Sequence, residues 1–253
     1  MIGSSSKLEI LPEWERAAKA VLARPGVVMV LGASDSGKTT LARILTECWH
    51  AAGRTVGLVD GDIGQSSVGP PTTVALAIVS LDRPLPASPC PRVLHFVGST
   101  SPPGHFLPHI LGTQALVQAA ISQGAEIVLV DTTGLISGTG AASLKWHKIQ
   151  AIRPRHVLGL QREGELEPIL RLVEGQADME IHRLPVSARA VRRSHAARRA
   201  YREERFRLED FAPERETLRV LAPLPDCFRV RGIAFESLRL EPSGREVGEA
   251  AWR

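Results

Sequence analysis

The sequence predicts an α/β fold, a parallel β-sheet covered by helices on both faces. Two observations carry this expectation. Short, almost purely apolar runs recur along the chain, as strands buried on both faces require. Helical apolar periodicity fills gaps between them, the alternation expected of βαβ units.

The expected strands are residues 27–31 (VVMVL), 55–59 (TVGLV), 93–97 (VLHFV), 127–130 (IVLV) and 157–160 (VLGL). Between the first two, Leu41, Ile44, Leu45, Cys48 and Trp49 fall on one helical face, and Gly53 is a natural stop. Residues 113–123 repeat the pattern with Leu116, Val117, Ala120 and Ile121, ending at Gly124. The proline-rich residues 82–92 (DRPLPASPCPR) read as an exposed connection. The runs TLRVL and FRVRGIAFESLRL suggest further strands near the C-terminus. The expected organisation is a main domain over residues 1–225 and a short C-terminal extension over 226–253, packed on the same domain.

Composition narrows the class. With 253 residues, 43% of them hydrophobic, the chain can bury a sizeable core and is not disordered wholesale. The net charge of +4 is mild, so its distribution matters more than its total. Aromatics at 4% argue against a base-stacking platform as the main device. Cys48, Cys90 and Cys227 are scattered with no CxxC, which suggests neither a disulfide framework nor a zinc ribbon. No apolar run approaches the roughly 20 residues of a membrane span. The first residues lack the apolar core of a signal peptide, so the expected compartment is the cytoplasm.

Residues 32–39, GASDSGKT, fit G-x-x-x-x-G-K-[ST] between an apolar strand and an amphipathic helix. This is the phosphate-binding loop of a P-loop NTPase. Gly32, Ala33, Ser34, Asp35, Ser36, Gly37, Lys38, Thr39 and the following Thr40 would hold a nucleotide triphosphate. Backbone N–H groups turn inward around phosphate oxygens, and the helix N-terminus adds its positive end. Lys38 reaches the β- and γ-phosphates, and the Thr39 hydroxyl suits magnesium. The acceptor stays open at this point: water gives an ATPase, a bound hydroxyl a kinase.

VDGDIGQSSVGPPTT (59–73) places Asp60 and Asp62 just past a buried strand. Period 2 turns both to one side, at the strand end where such folds bind ligands. One carboxylate suits magnesium; the other can accept the proton of an attacking hydroxyl. The double proline reads as a rigid, exposed turn. EIVLVDTTG ends a further strand at Asp131, the form of a Walker B element, with Asp131 on magnesium and Gly134 passing near the γ-phosphate. The N/T-K-x-D signature of guanine selectivity is missing after the next strand. Residues 186–207 hold eight arginines against Glu203 and Glu204. Such a run is either a solvated helix or a lid, spanning about residues 186–210, that clamps phosphate. His105 and His109 have i, i+4 spacing in the STSPPGHFLPH loop but no third ligand.

The order of these motifs resembles the polynucleotide 5′-hydroxyl kinases related to the RNA kinase subunit of the mRNA cleavage and polyadenylation machinery and to rRNA-processing kinases. The resemblance rests on GASDSGKTTL, VDGDIGQSSVGPP, FVGSTSPPG, VDTTGLISGTG and VRRSHAARRAYREERFR, and covers roughly residues 26–211. It implies ATP and Mg²⁺ as cofactors and a nucleic acid with a 5′-hydroxyl end as partner. It further implies Lys38 and Thr39 on the nucleotide, Asp62 as base with Asp60 on the magnesium side, and Arg193 and Arg198 as lid residues. Gln65, Thr100 and Ser101 would face the acceptor. Three departures stand out, one of them a short C-terminal region that does not clearly match. Thr133 and Leu135 occupy places where family members often carry Pro and Trp. Only about 25 residues precede the first strand, fewer than the N-terminal β domain of eukaryotic members needs. Rival readings are a nucleotide-driven switch or assembly ATPase, a non-catalytic ATP-binding scaffold, and a kinase of a small nucleoside or metabolite.

Overall fold

A computed structural model describes residues 10–82, 85, 93–138 and 140–206, with the strand segments 218–220, 235–237, 239–240 and 246–247. In chain order the elements are α1 (Pro12–Ala23), β1 (Val27–Gly32), α2 (Lys38–Ala51), β2 (Val56–Gly61), β3 (Thr73–Val79), β4 (Val93–Phe96), α3 (Phe106–Ser122) and β5 (Ile127–Thr132). Then follow α4 (Ala141–Ile152), β6 (His156–Gln161), α5 (Glu167–Val173), β7 (Glu180–Pro185) and α6 (His195–Arg205). The strands β8 (Leu218–Val220), β9 (Phe235–Ser237), β10 (Arg239–Leu240) and β11 (Glu246–Val247) complete the chain.

Nine strands form one sheet in the order β7-β6-β1-β5-β2-β3-β4-β8-β9, and β10 pairs with β11 apart from it. The insertion of β5 between β1 and β2 positions the site. It sets Asp131 directly beside Asp60 in parallel register, at the strand ends from which the phosphate loop also leaves. The sheet divides the core. Val28 and Val30 of β1 face a layer with Trp14, Leu41, Leu45 and Trp49 from α1 and α2. Met29 and Leu31 face the opposite layer with Leu116, Val117, Ile149 and Leu170 from α3, α4 and α5. This alternation along β1 is the period of a strand covered on both faces. On α2 the apolar face is rotated slightly from expectation: Ala42 and Thr46 are buried, and Cys48 is exposed.

The sheet is mixed rather than wholly parallel. β3 runs antiparallel to both β2 and β4. No crossover helix separates β2 from β3, and a direct return is the link antiparallel strands allow. The turn between them, expected to be exposed, is largely buried, with Ile63, Ser66, Val68, Gly69, Pro70 and Pro71 inside. α3 begins at Phe106, so it takes in His109, which was expected in a loop. The polar edge strand β7 has no apolar run to announce it. Of the proline-rich connection, residues 83–84 and 86–92 lie outside the described residues. β8 and β9 fall within the expected C-terminal strand segments, and β9 pairs with β8 in the main sheet. Among the described residues, no helix is long and apolar enough to cross a membrane.

Candidate active site

The phosphate loop leaves β1 and enters α2 through Gly37, whose φ of 87° is the left-handed region open to glycine. Lys38 is buried, and its Nζ donates to Ala33 O at 2.8 Å, across the concave side of the loop. Ser36 is buried and its Oγ has no partner. Thr40 is exposed on the first turn of α2. The Thr39 hydroxyl donates to Asp131 Oδ2 at 2.6 Å. Asp131 Oδ1 is buried without a partner. Burial first, then the neighbouring Asp60, push the Asp131 carboxyl up to about 7, against the pull of Lys38 and Thr39. An orphaned acceptor on a destabilised carboxylate, next to a hydroxyl, fits a hard cation at this point.

Asp60 is engaged differently from expectation. Its Oδ1 accepts from Asp62 N at 3.0 Å. Its Oδ2 accepts from Ser66 Oγ at 3.0 Å, Ser67 N at 2.6 Å, Ser67 Oγ at 3.0 Å and Val68 N at 3.0 Å. The carboxylate is thus the hub of the 62–68 turn, which leaves Thr39 and Asp131 as the pair positioned for a cation. Burial, with the charge of Asp62, raises the Asp60 carboxyl above its usual range. Asp62 is only half-buried, and its Oδ1 accepts from Gly64 N at 3.1 Å and Gln65 N at 3.0 Å.

Two glycines set close approaches. A Cβ at Gly64 would lie 2.6 Å from Thr100 O, so the exposed loop carrying Thr100 and Ser101 rests against the Asp62 turn. A Cβ at Gly134 would lie 2.3 Å from Ser34 Oγ and 2.5 Å from Ser34 N. Gly134 therefore seats the strand end against the phosphate loop itself.

The arginine segment folds as a helix for local reasons. Ala, Arg and Glu favour helix, Ser194 caps it by accepting from Ala197 N, and Arg199 pairs with Glu203 at 2.7 Å. Arg198, Tyr201 and Arg205 share one face at i, i+3 and i+7. That face docks on the Asp62 turn. Gln65 Nε2 donates to Arg198 O at 3.1 Å, Tyr201 OH to Ser66 O at 2.9 Å, and Arg205 Nη2 to Ser67 O at 3.0 Å. Arg198 also pairs with Asp35 of the phosphate loop at 2.5 Å, and Arg193 N donates to the same carboxylate at 3.1 Å. The Arg193 side chain lies over the Tyr201 ring at 5.5 Å. The helix bridges the phosphate loop and the acidic turn, with Arg192, Arg193 and Arg199 exposed. Gln65 Oε1 is buried without a partner.

Three buried groups lie behind the site; Lys145 and Lys148 had no signal in the sequence, and His109 stood out only for its i, i+4 spacing with His105. Lys145 Nζ donates to Thr132 Oγ1 at 2.9 Å and Thr133 O at 2.7 Å. Lys148 Nζ lies 2.7 Å from His109 Nε2, which is 2.8 Å from Gly61 O. Burial, then the charge of Lys38, lowers Lys145 to about 7. Burial, then Lys145, lowers Lys148 well below its ordinary value. Burial, then Lys148, does the same to His109. Lysines on an amphipathic helix read as solvent-facing, yet here they brace the ends of β5 and β2.

A phosphate loop at a strand end, a Walker B carboxylate beside it and a docked arginine helix define a P-loop nucleotide-binding protein of α/β class. The chain belongs to the CLP1 P-loop family of the mRNA cleavage and polyadenylation factor, whose family model matches residues 32–208. It is 37% identical over 206 residues to a polyribonucleotide 5′-hydroxyl-kinase of Pyrococcus furiosus, covering 81% of this chain and 56% of that relative. It is 38% identical over 184 residues to one of Methanocaldococcus jannaschii, covering 73% and 50%. The chain thus spans about half the length of these curated relatives. A solved complex of Clp1p with Pcf11p shares the fold, with a TM-score of 0.61 at 17% identity over 77% of this chain and 52% of that one.

Proposed function

We propose that this chain is the phosphotransferase unit of an ATP- and magnesium-dependent polynucleotide 5′-hydroxyl kinase acting on RNA ends. The observation that carries the reading is the docking of the arginine helix across Asp35 and the Asp62 turn, which makes donor loop, base and lid one unit. The names of the archaeal relatives support RNA as acceptor.

In this reading the phosphate loop cradles ATP, and Lys38 exchanges Ala33 O for phosphate oxygens. Thr39 and Asp131 would hold magnesium. When bound, the ion neutralises charge on the phosphate oxygens. The 5′-hydroxyl oxygen, presented from the side of Thr100, Ser101 and Gln65, forms the new bond to the γ-phosphorus. The bond to the β–γ bridging oxygen breaks, ADP leaves, and the hydroxyl proton passes to Asp62. Arg198 and Arg193, at the rim of the loop, stabilise the charge spread over the transferring group. The exposed Arg199 of α6 and Arg192 just before it bind the polynucleotide backbone, and that contribution weakens as salt rises.

The test is transfer of label from γ-labelled ATP to a 5′-hydroxyl oligoribonucleotide. Label at the 5′ end, dependent on Mg²⁺ and blocked by a pre-existing 5′-phosphate, is the expected result. ATP hydrolysis indifferent to 5′-hydroxyl ends would make the chain a switch ATPase instead. Competition by a mononucleoside as effective as the oligonucleotide would point to a small-molecule kinase.

A further inference from the structure

At the other end of the sheet a second polar cluster serves no part of this chemistry. His156 and Glu180 are the first residues of β6 and β7 and face each other in parallel register, with His182 two residues on. His156 is level with Val28, at the start of β1, whereas the phosphate loop leaves the end of that strand, level with Leu160. The cluster therefore lies roughly 13 Å down the strands from the nucleotide end.

His156 Nδ1 lies 3.1 Å from His182 Nε2. Glu180 Oε2 lies 3.7 Å from His156 Nδ1 and 3.8 Å from His182 Nε2. Both distances to the carboxylate exceed those of a hydrogen bond. A tetrahedral ion with bonds of 2.0–2.2 Å would hold adjacent ligand atoms about 3.3–3.6 Å apart. The observed triangle brackets that value. The tautomer is fixed as well. His156 Nε2 lies 2.9 Å from Arg24 O, which can only accept, so Nε2 carries the proton and the Nδ1 lone pair faces inward. A ring N–H donated to a backbone carbonyl is the usual support of a metal-binding histidine. The surrounding charges are Arg24, which pairs through its guanidinium with Glu180 Oε1 and Asp178, and Arg155. Arg24 therefore leaves Oε2 as the ligating oxygen. Among the described residues this is the group whose ligand atoms lie close enough together to hold a metal ion.

We propose that His156, Glu180 and His182 bind one divalent transition-metal ion, with two imidazoles and a carboxylate as the donor set and water completing the shell. That donor set suits zinc rather than magnesium. The ion would pin the edge strand β7 to β6 and, through Arg24, to the end of α1.

Zinc itself is the probe. The chelator-stripped protein is dialysed against zinc with excess magnesium, and bound zinc per chain and the zinc-dependent rise in melting temperature are measured. The wild type is expected to retain one zinc and to melt higher with it. His182→Gln and Glu180→Gln, both at the partly exposed edge, are expected to bind zinc at least tenfold more weakly and to lose the melting shift, while transferring phosphate normally. Cobalt in the wild type is expected to give the absorption bands of a low-coordinate nitrogen–oxygen site, absent from both variants. A wild type that binds no zinc, or folded variants that keep the same stoichiometry and affinity, would overturn the proposal. If one variant fails to fold, the other decides.

Discussion

Replacing Asp60 by asparagine separates two roles that a pair of strand-end aspartates can have. In the structure Asp60 holds the turn: one oxygen accepts from Asp62 N and the other from four donors of residues 66–68. Asparagine keeps one oxygen. If that oxygen stays with the four donors, the amide nitrogen faces Asp62 N, and a buried N–H loses its partner at a cost of about 1–3 kcal/mol. The opposite flip orphans more groups. In a domain of this size that cost lowers the melting temperature by about 2–12 °C. The Thr39–Asp131 hydrogen bond does not involve Asp60; losing the Asp60 charge lets Asp131 ionise more easily but also removes a negative charge near the cation, two opposing effects, so Mg·ATP affinity should change less than about threefold, roughly 0.7 kcal/mol. Differential scanning calorimetry and nucleotide titration, each with and without Mg²⁺, read the two effects separately. Unchanged melting together with lost magnesium dependence would refute the reasoning and make Asp60 a metal ligand.

Three further outcomes follow from the same geometry. Gly134→Ala places a methyl 2.5 Å from Ser34 N, so the phosphate loop must shift by about 1 Å; overpacking of this kind costs about 1–3 kcal/mol and a shift of that size about 100-fold in rate. Nucleotide KM and kcat measure this, and wild-type values would show that the two segments move apart freely. Tyr201→Phe removes the bond to Ser66 O and about 0.5–1.5 kcal/mol of lid docking; faster limited proteolysis within residues 190–206 and a higher acceptor KM are expected, and an unchanged cleavage rate would count against docking. Lys145 titrates at about 7 folded against about 10.5 unfolded. Across that window the unfolded chain binds more protons, so this group makes stability rise with pH, by at most about 1.4 kcal/mol per unit. Lys145→Met should flatten the urea-denaturation profile between pH 7 and 10.5 relative to wild type, with Lys148 still contributing the same sign in both; parallel profiles would show that Lys145 stays charged when buried.

The elements of the site that depend on local chemistry were legible. A glycine-rich turn between strand and helix, and carboxylates at strand ends, carry their signal within a few residues, so Lys38, Thr39, Asp62 and Asp131 could be placed beforehand. What depends on long-range packing was not. The prolines before Thr73 signalled an exposed turn because prolines are common in loops; here the Asp60 hub folds that turn inward and β3 returns antiparallel. The residue pattern alone left the roles of Asp60 and Asp62 open and the resemblance put Asp60 on the magnesium side, whereas the donors of Ser66, Ser67 and Val68 make it the hub of the turn. The arginine run signalled a solvated helix or a lid, but the docking of its Arg198, Tyr201 and Arg205 face on Gln65, Ser66 and Ser67 joins residues more than 130 positions apart. Lys145 and Lys148 were invisible because only the tertiary fold supplies their partners, Thr132, Thr133 and His109. Thr133, at one of the two positions where the sequence departs from the family pattern, adds its Oγ1 to that set at 3.4 Å, beside the backbone carbonyl that any residue there would supply.

In the proposed reaction Asp62 takes the proton of a polynucleotide 5′-hydroxyl. The most direct test of this role is single-turnover transfer by Asp62→Asn, with ATP affinity measured in parallel. Asparagine keeps an oxygen for Gly64 N and Gln65 N, so the turn should persist. Unchanged ATP affinity and a transfer rate lower by about 10²–10⁴-fold, the usual contribution of a general base, are expected. Transfer at the wild-type rate would contradict that role.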